Sequence, residues 1–216
     1  MRCLVSAGPT YEPLDRVRRL TNFSTGSLGT ELANRLASAG HDVQLLRGEE
    51  AQSQPPVAAV SVEPFSTTSD LAARFLAHAT HERIAIFHAA AVSDFAFGLV
   101  YERNEEGDLS PIYQGKLNTR QGSLFAELKP TPKIIRGLRE WFANALIVGW
   151  KYEVDGTRDD ALGKGQRQLS ECQSDWCVVN GPAYGAGFGL LSPHSPPQHL
   201  SSRPELYNRL LALLTA

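Results

Sequence analysis

Only three cysteines occur in the 216 residues, Cys3, Cys172 and Cys177, and no Cys-x-x-Cys pair is among them. An odd number without paired spacing speaks against a disulfide framework and a zinc cluster, so Cys3 and Cys177, which lie in apolar runs, are expected as buried thiols. The six histidines include no His-x-x-x-His or His-Glu-x-x-His spacing, which removes the common zinc hydrolase motif. An excess of one charge is missing too. The 21 basic and 23 acidic side chains leave a net charge of -2, which argues against a broadly basic nucleic-acid binder and against a disordered chain. No apolar run approaches the ~18 to 20 residues needed to span a bilayer. Met1 to Gly8 runs straight into a Gly-Pro turn and is too short for a signal peptide. A cytoplasmic protein with neither nucleic-acid nor membrane partners is expected.

What is present is an average globular profile, 42% hydrophobic and 20% charged, in a length that suits one domain over residues 1–216. Short β-type runs alternate with segments of helical period, the pattern of a parallel sheet covered by helices. Strands are expected at Arg2 to Ala7, Val43 to Leu46, Val57 to Val62, Ile84 to Phe87, Ala145 to Gly149 and Trp176 to Val179. Helices are expected at Ser27 to Ala39, Ser69 to Ala79, from Pro132, at Arg158 to Cys172 and at Arg203 to Leu214. The expectation is an α/β, three-layer Rossmann-like fold with a mainly parallel sheet. After Asp94 the periodicity fails until about Leu124, where Leu124 to Leu128 alternates, and so long a gap inside a compact domain reads as a flap or hairpin insertion over about residues 97–128. Gly181 to Pro197 is rich in Gly and Pro and gives no clear pattern.

Ligands in such sheets bind beyond the carboxyl ends of the strands. The loops there begin with Gly8-Pro9-Thr10, Arg47-Gly48, His88 to Asp94, Gly149 to Glu153 and Asn180-Gly181. Asn22-Phe23-Ser24-Thr25-Gly26-Ser27 leads into the first helix and gathers hydroxyls and free N–H groups into an anion cradle. The plainer alternative is that Ser24, Thr25 or Ser27 caps the helix. No Gly-x-Gly-x-x-Gly follows strand one directly.

The stretch Ser6 to Asp15, with Val17-Arg18 and Asn22-Phe23-Ser24-Thr25-Gly26, resembles the opening of phosphopantothenate–cysteine ligases. Ala89-Ala90-Ala91-Val92-Ser93-Asp94-Phe95 resembles a second motif of that family. Lys116, Thr131-Pro132-Lys133, Gly149 to Glu153 and Val179-Asn180 follow in the family's order. The resemblance spans about residues 3 to 181 and implies that 4'-phosphopantothenate is activated by a nucleoside triphosphate, ATP or CTP, with Mg2+, and condensed with cysteine. It implies a homodimer in which the flap joins the subunit contact, and a stand-alone ligase, since 216 residues leave no room for the decarboxylase often fused to it.

Residue by residue, the resemblance assigns Asn22 to the acyl-nucleotide intermediate and Lys116 to the triphosphate as catalytic groups. Ser24, Thr25, Gly26, Ala90 and Ala91 line the substrate phosphate. Gly8, Thr10, Asp94, Thr131, Pro132, Lys133, Trp150, Lys151 and Asn180 bind nucleotide, with Asp94 also a magnesium ligand. Departures are equally specific. Ser27 stands where the bacterial branch has lysine, Lys116 is followed by Leu117-Asn118-Thr119 rather than further lysines, and Gln168 and Cys172 stand where that branch has helix lysines. Lys151-Tyr152-Glu153 is similar to the eukaryotic-type branch, which favours ATP, whereas the bacterial type favours CTP. Two rivals stay open. One is an NAD(P)-dependent reductase of the short-chain type, with Arg47 after strand two; it lacks the Tyr-x-x-x-Lys pair. The other is a non-catalytic nucleotide-binding module.

Overall fold

A computed structural model of the chain describes residues 1–57, 60–113, 115–118 and 123–215. In chain order the elements are β1 (Arg2–Ala7), β2 (Tyr11–Pro13), β3 (Arg19–Thr21), α1 (Ser27–Ser38), β4 (Asp42–Gly48), β5 (Ser61–Phe65), α2 (Thr68–Ala77) and β6 (Ala85–His88). Then come β7 (Phe95–Arg103), β8 (Leu109–Ile112), β9 (Leu124–Pro130), α3 (Ile134–Trp141), β10 (Leu146–Tyr152) and α4 (Arg158–Cys172). The chain closes with β11 (Trp176–Asn180), β12 (Phe188–Ser192), β13 (Ser195–Leu200) and α5 (Arg203–Ala212).

The main sheet runs in the order β13-β12-β11-β10-β6-β1-β4-β5. From β5 to β11 every neighbouring pair is parallel, and only β12 and β13 are added antiparallel. Side chains of a strand alternate between faces, and here both faces are covered, so the inner strands read as continuous apolar runs. Val5, Phe87, Val148 and Val178 pack under Leu32 and Leu36 of α1 and Leu206 and Leu210 of α5. Their neighbours Leu4, Ile86 and Ile147 face Phe75 of α2 and Leu138 of α3. Cys177 and Val179 lie under Leu169 of α4 on that same side. These are the three layers expected from the sequence. All three cysteines are free and buried, and burial pushes the Cys3 and Cys177 thiols up to about 12.

The described residues of the flap form strands. β7 pairs antiparallel with β8 and with β9, making a three-stranded sheet separate from the main one. Of the expected flap, residues 114 and 119–122 lie outside the described residues. Three boundaries differ from expectation. The edge strand β5 starts at Ser61 rather than Val57, because Val57 donates its N–H to Asn34 Oδ1 and Val60 turns back onto the Val57 carbonyl; residues 58 and 59 are outside the description. α3 begins at Ile134, not Pro132. The chain stays extended through the cap residue Lys133 at φ -80, ψ 99, so the first helical turn follows it. The patternless Gly181 to Pro197 stretch contains β12 and the start of β13, a hairpin whose second strand is mostly exposed. The insert after strand one holds the β2–β3 hairpin. Glu12 of that hairpin is buried and accepts the N–H of Thr68, tying it to the start of α2.

Candidate active site

Strand order reverses between β1 and β6: from β1 the chain builds outward to β4 and β5, from β6 to β10 and β11. The crevice at that switch point is where doubly wound sheets bind ligands. Gly8 and Gly26 meet there, both with positive φ, at +88° and +74°. A side chain on Gly8 would collide with Ala51, and one on Gly26 would crowd Ala51 and the Gly8 backbone. Only glycine lets these loops approach so closely. Gly26 is the N-cap of α1 and has no side chain to cap it; of the expected hydroxyls Thr25 alone takes a helical N–H, that of Ser27 at 3.3 Å, and it donates to Ser27 Oγ at 3.2 Å. The result is a helix N-terminus lined by hydroxyls and favourable to an anion.

The loop after β6 is laced to the loop after β1. Ala91 N–H donates to the Gly8 carbonyl at 3.0 Å, and Thr10 N–H to the Ala91 carbonyl at 3.1 Å. Asn22 Nδ2 donates to that same Ala91 carbonyl at 3.2 Å. Beneath them Ser6 Oγ lies 2.7 Å from His88 Nδ1 and accepts Ala90 N–H at 3.3 Å, fixing where Ala90 turns out of the strand. Thr10 is fully buried, and its hydroxyl accepts Ser93 N–H at 2.8 Å and meets Thr68 at 3.3 Å. Thr131 donates to the Ser93 carbonyl at 2.5 Å, and its N–H to Asp94 O at 3.0 Å. Thr10, Ser93 and Thr131 therefore brace three loops together. Asp94 is exposed at the top and ion-paired to Lys133.

A basic pocket of ≈ 410 Å³ opens between α3, α4 and the end of β10. Lys133, Arg136, Lys151, Lys164 and Arg167 line it, against Glu153 and Glu171. Burial would push the Glu153 carboxyl up, but Lys164 at 2.5 Å and Lys151 at 3.2 Å outweigh that and hold it below its ordinary range. Arg136 pairs with Glu171 at 2.7 Å. Cations outnumber carboxylates along the pocket, which leaves its lining net positive.

The structure thus brings together Asn22, Thr25, Gly26, Gly8, Ala90 and Ala91 in one crevice. Asp94, Thr131 and Lys133 sit beside it, with Lys151 across the basic pocket. Ser24 is bound within its own loop through its N–H to the Asn22 carbonyl at 2.8 Å, and Pro132 precedes α3. Trp150 and Asn180 go elsewhere. One residue from Lys151, Trp150 packs on the α1/α5 face, and its indole N–H is buried without a partner. Asn180 lines a separate hollow with Tyr152 and the start of α5. Lys116 is exposed on the segment beside the β2–β3 turn. Sequence reasoning missed Arg136, Lys164 and Arg167. The signal was available, since Lys164, Arg167, Gln168 and Glu171 recur at helical spacing along one face of α4. Arg47, which favoured the reductase alternative, is committed to the carbonyls of Ala51 and Ser53 at 3.0 and 2.7 Å.

The family description "DNA/pantothenate metabolism flavoprotein C-terminal domain" matches residues 1–193. The chain is 30% identical over 187 residues to the coenzyme A biosynthesis bifunctional protein CoaBC of Bacillus subtilis strain 168, covering 86% of this chain and 42% of that protein. It spans only 41% to 42% of the length of the curated relatives it matches first. The crystal structure of the DNA/pantothenate metabolism flavoprotein from Streptococcus pneumoniae aligns at a TM-score of 0.84 and 25% identity, over 100% of this chain and 98% of that one. A Cab2 variant in complex with phosphopantothenate-cysteine shares the fold at a TM-score of 0.70 and 20% identity, over 100% and 89% of the two chains. Fold, crevice and sequence agree, and the chain belongs to the DNA/pantothenate metabolism flavoprotein C-terminal domain family.

Proposed function

We propose that the chain is a phosphopantothenate–cysteine ligase of coenzyme A biosynthesis. It would join the carboxylate of 4'-phosphopantothenate to the amine of cysteine, driven by ATP or CTP. The observation that carries this reading is the Asn22 amide bonded to the Ala91 carbonyl, because it joins the two most specific motifs of the sequence over the crevice of the switch point. The relatives named for coenzyme A biosynthesis, and the related fold seen with phosphopantothenate-cysteine, support it.

In the first step a substrate carboxylate oxygen attacks the α-phosphorus and pyrophosphate leaves. In the second the cysteine amine attacks the acyl carbon, the C–N bond forms, and the nucleoside monophosphate departs as the amine loses its proton. A carboxylate attacking a polyphosphate needs nearby positive charge, which the basic pocket offers through Lys133 and Lys151. The Asn22 amide keeps a second N–H and its carbonyl for the intermediate and adds no charge that would repel phosphate. Among the described residues no group of three or more His, Cys, Asp or Glu could hold a metal alone. One carboxylate, Asp94, fits magnesium that arrives on nucleotide phosphates. Such a magnesium would neutralise charge on the leaving pyrophosphate. A homodimer through the β7–β9 sheet belongs to the same reading, supported by exposed Phe95, Leu99, Phe125 and Leu128. So does a cytoplasmic location; no described helix is long and apolar enough to cross a membrane.

The test is pyrophosphate release by the purified protein with 4'-phosphopantothenate, magnesium and cysteine, run in parallel with ATP and CTP. Release that depends on phosphopantothenate is expected, and the nucleotide that supports it is the substrate. Nucleotide binding without release would favour the non-catalytic module. Asn22→Ala should lower kcat by about 10² or more and leave the exposed site's stability within about 0.5 kcal/mol.

A further inference from the structure

The turn joining β2 to β3 holds a carboxylate that the proposed chemistry does not use. The Asp15 side chain is 1% exposed. Its Oδ1 accepts the N–H groups of Val17 at 2.8 Å and Arg18 at 2.7 Å, closing a local turn. Its Oδ2 accepts Arg18 Nη1 at 2.7 Å and the Leu117 N–H at 3.1 Å. Arg18 Nη1 reaches on to the Leu117 carbonyl at 3.3 Å, and Arg16 N–H donates to Gly115 O at 3.0 Å. Both neighbours of Lys116 are therefore fastened to the turn, and Leu117 is buried. Burial alone would raise the pKa of Asp15, but the Leu117, Val17 and Arg18 N–H groups and the Arg18 charge together hold it below the ordinary carboxylate range. A buried carboxylate this fully satisfied is costly to disturb. It also offsets the charge of Arg18.

We propose that Asp15 is a positioning residue. It latches the segment carrying Lys116 onto the β2–β3 turn and so presents Lys116 to the nucleotide. The role in turnover rests on the ligase reading; the latch itself does not.

Oδ1 closes the turn while Oδ2 holds both Arg18 Nη1 and the Leu117 N–H, so Asp15→Asn removes the Oδ2 contacts and can keep those of Oδ1. The amide oxygen can still close the turn, while the amide NH2 faces the Leu117 N–H and the Arg18 guanidinium, donor against donor. Hydrogen exchange at the Leu117 amide should then accelerate about tenfold or more, with Val17 and Arg18 amide protection retained and the melting temperature lowered. In the wild type the Leu117 and Arg16 amides should be protected. Free exchange there, or unchanged Leu117 exchange in the variant, overturns the latch, and the wild-type arm holds even if Asp15→Asn fails to fold. In pyrophosphate release, Asp15→Asn should lower kcat and leave KM for phosphopantothenate alone. The double variant with Lys116→Ala should be no worse than Lys116→Ala by itself. Multiplicative losses would overturn action through Lys116. A wild-type protein that releases no pyrophosphate would defeat the ligase reading and leave the exchange result to decide the latch.

Discussion

Two sheets of this protein meet opposite fates. In the main sheet, β6 buries all four residues and β1 all but its first, because helices cover both faces. In the β7–β9 sheet, β9 exposes all but one residue and β8 three of four. Its order comes from antiparallel backbone pairing and cross-strand partners, such as Arg103 over the Phe125 ring at 4.4 Å and the Leu99 N–H donating to Glu127 Oε2 at 3.2 Å. A sheet can thus be regular without a core of its own. What it then lacks is any hydrophobic reason to keep large apolar residues outside, so Phe95, Leu99 and Leu128 call for a partner surface or a working role.

The strongest way to sharpen the contrast is to remove a core ring. Phe87 is 0% exposed on β6, and Phe87→Ala should cost about 3–5 kcal/mol in denaturant unfolding, since the lost burial adds to an unfilled cavity. A loss below about 1 kcal/mol would mean the sheet's centre repacks freely and is no more rigid than the flap.

That same difference decides what could be read from the sequence. Continuous apolar runs and the periodic stripes of α1 and α4 are direct consequences of burial, so β1 and α4 could be placed to the residue. The Asn22 and Ala89 to Asp94 motifs were legible because their chemistry sits on the loops those strands position. Leu124 to Leu128 of β9 alternates visibly, whereas β8 leaves no pattern because three of its four residues are exposed, and β7 buries only Val100 fully. Trp150 and Lys151 look like one nucleotide motif in sequence, yet strand alternation sends them to opposite faces. The Asp15 latch joins positions 15 and 117, and no local pattern encodes a pairing so distant.

A second test lies where the core meets the crevice. His88 is buried, and burial lowers its pKa to about 4 from 6.5. Between those values the unfolded chain binds a proton that the folded one refuses, so stability rises with pH across that window. From pH 6.5 down to 4 the protein should lose roughly 3 kcal/mol from this group, with no further loss from it below. His88→Gln should flatten that segment of the stability–pH curve in denaturant titrations. An unchanged slope would assign the acid sensitivity to other groups and remove His88 as the neutral partner of Ser6.

The smallest effect is expected in the flap. Leu128 is 51% exposed on β9, so Leu128→Ser removes little buried area and should shift unfolding of the dilute protein by no more than about 0.5 kcal/mol. If the proposed homodimer forms through this sheet, the cost appears instead as weaker association, read by sedimentation across a concentration series, because the side chain is desolvated only in the assembly. A shift of about 1.5 kcal/mol or more at high dilution, a size typical of losing a buried apolar side chain, would break the comparison. It would mean that β9 is covered within the single chain, and that the flap folds with the core rather than standing apart from it.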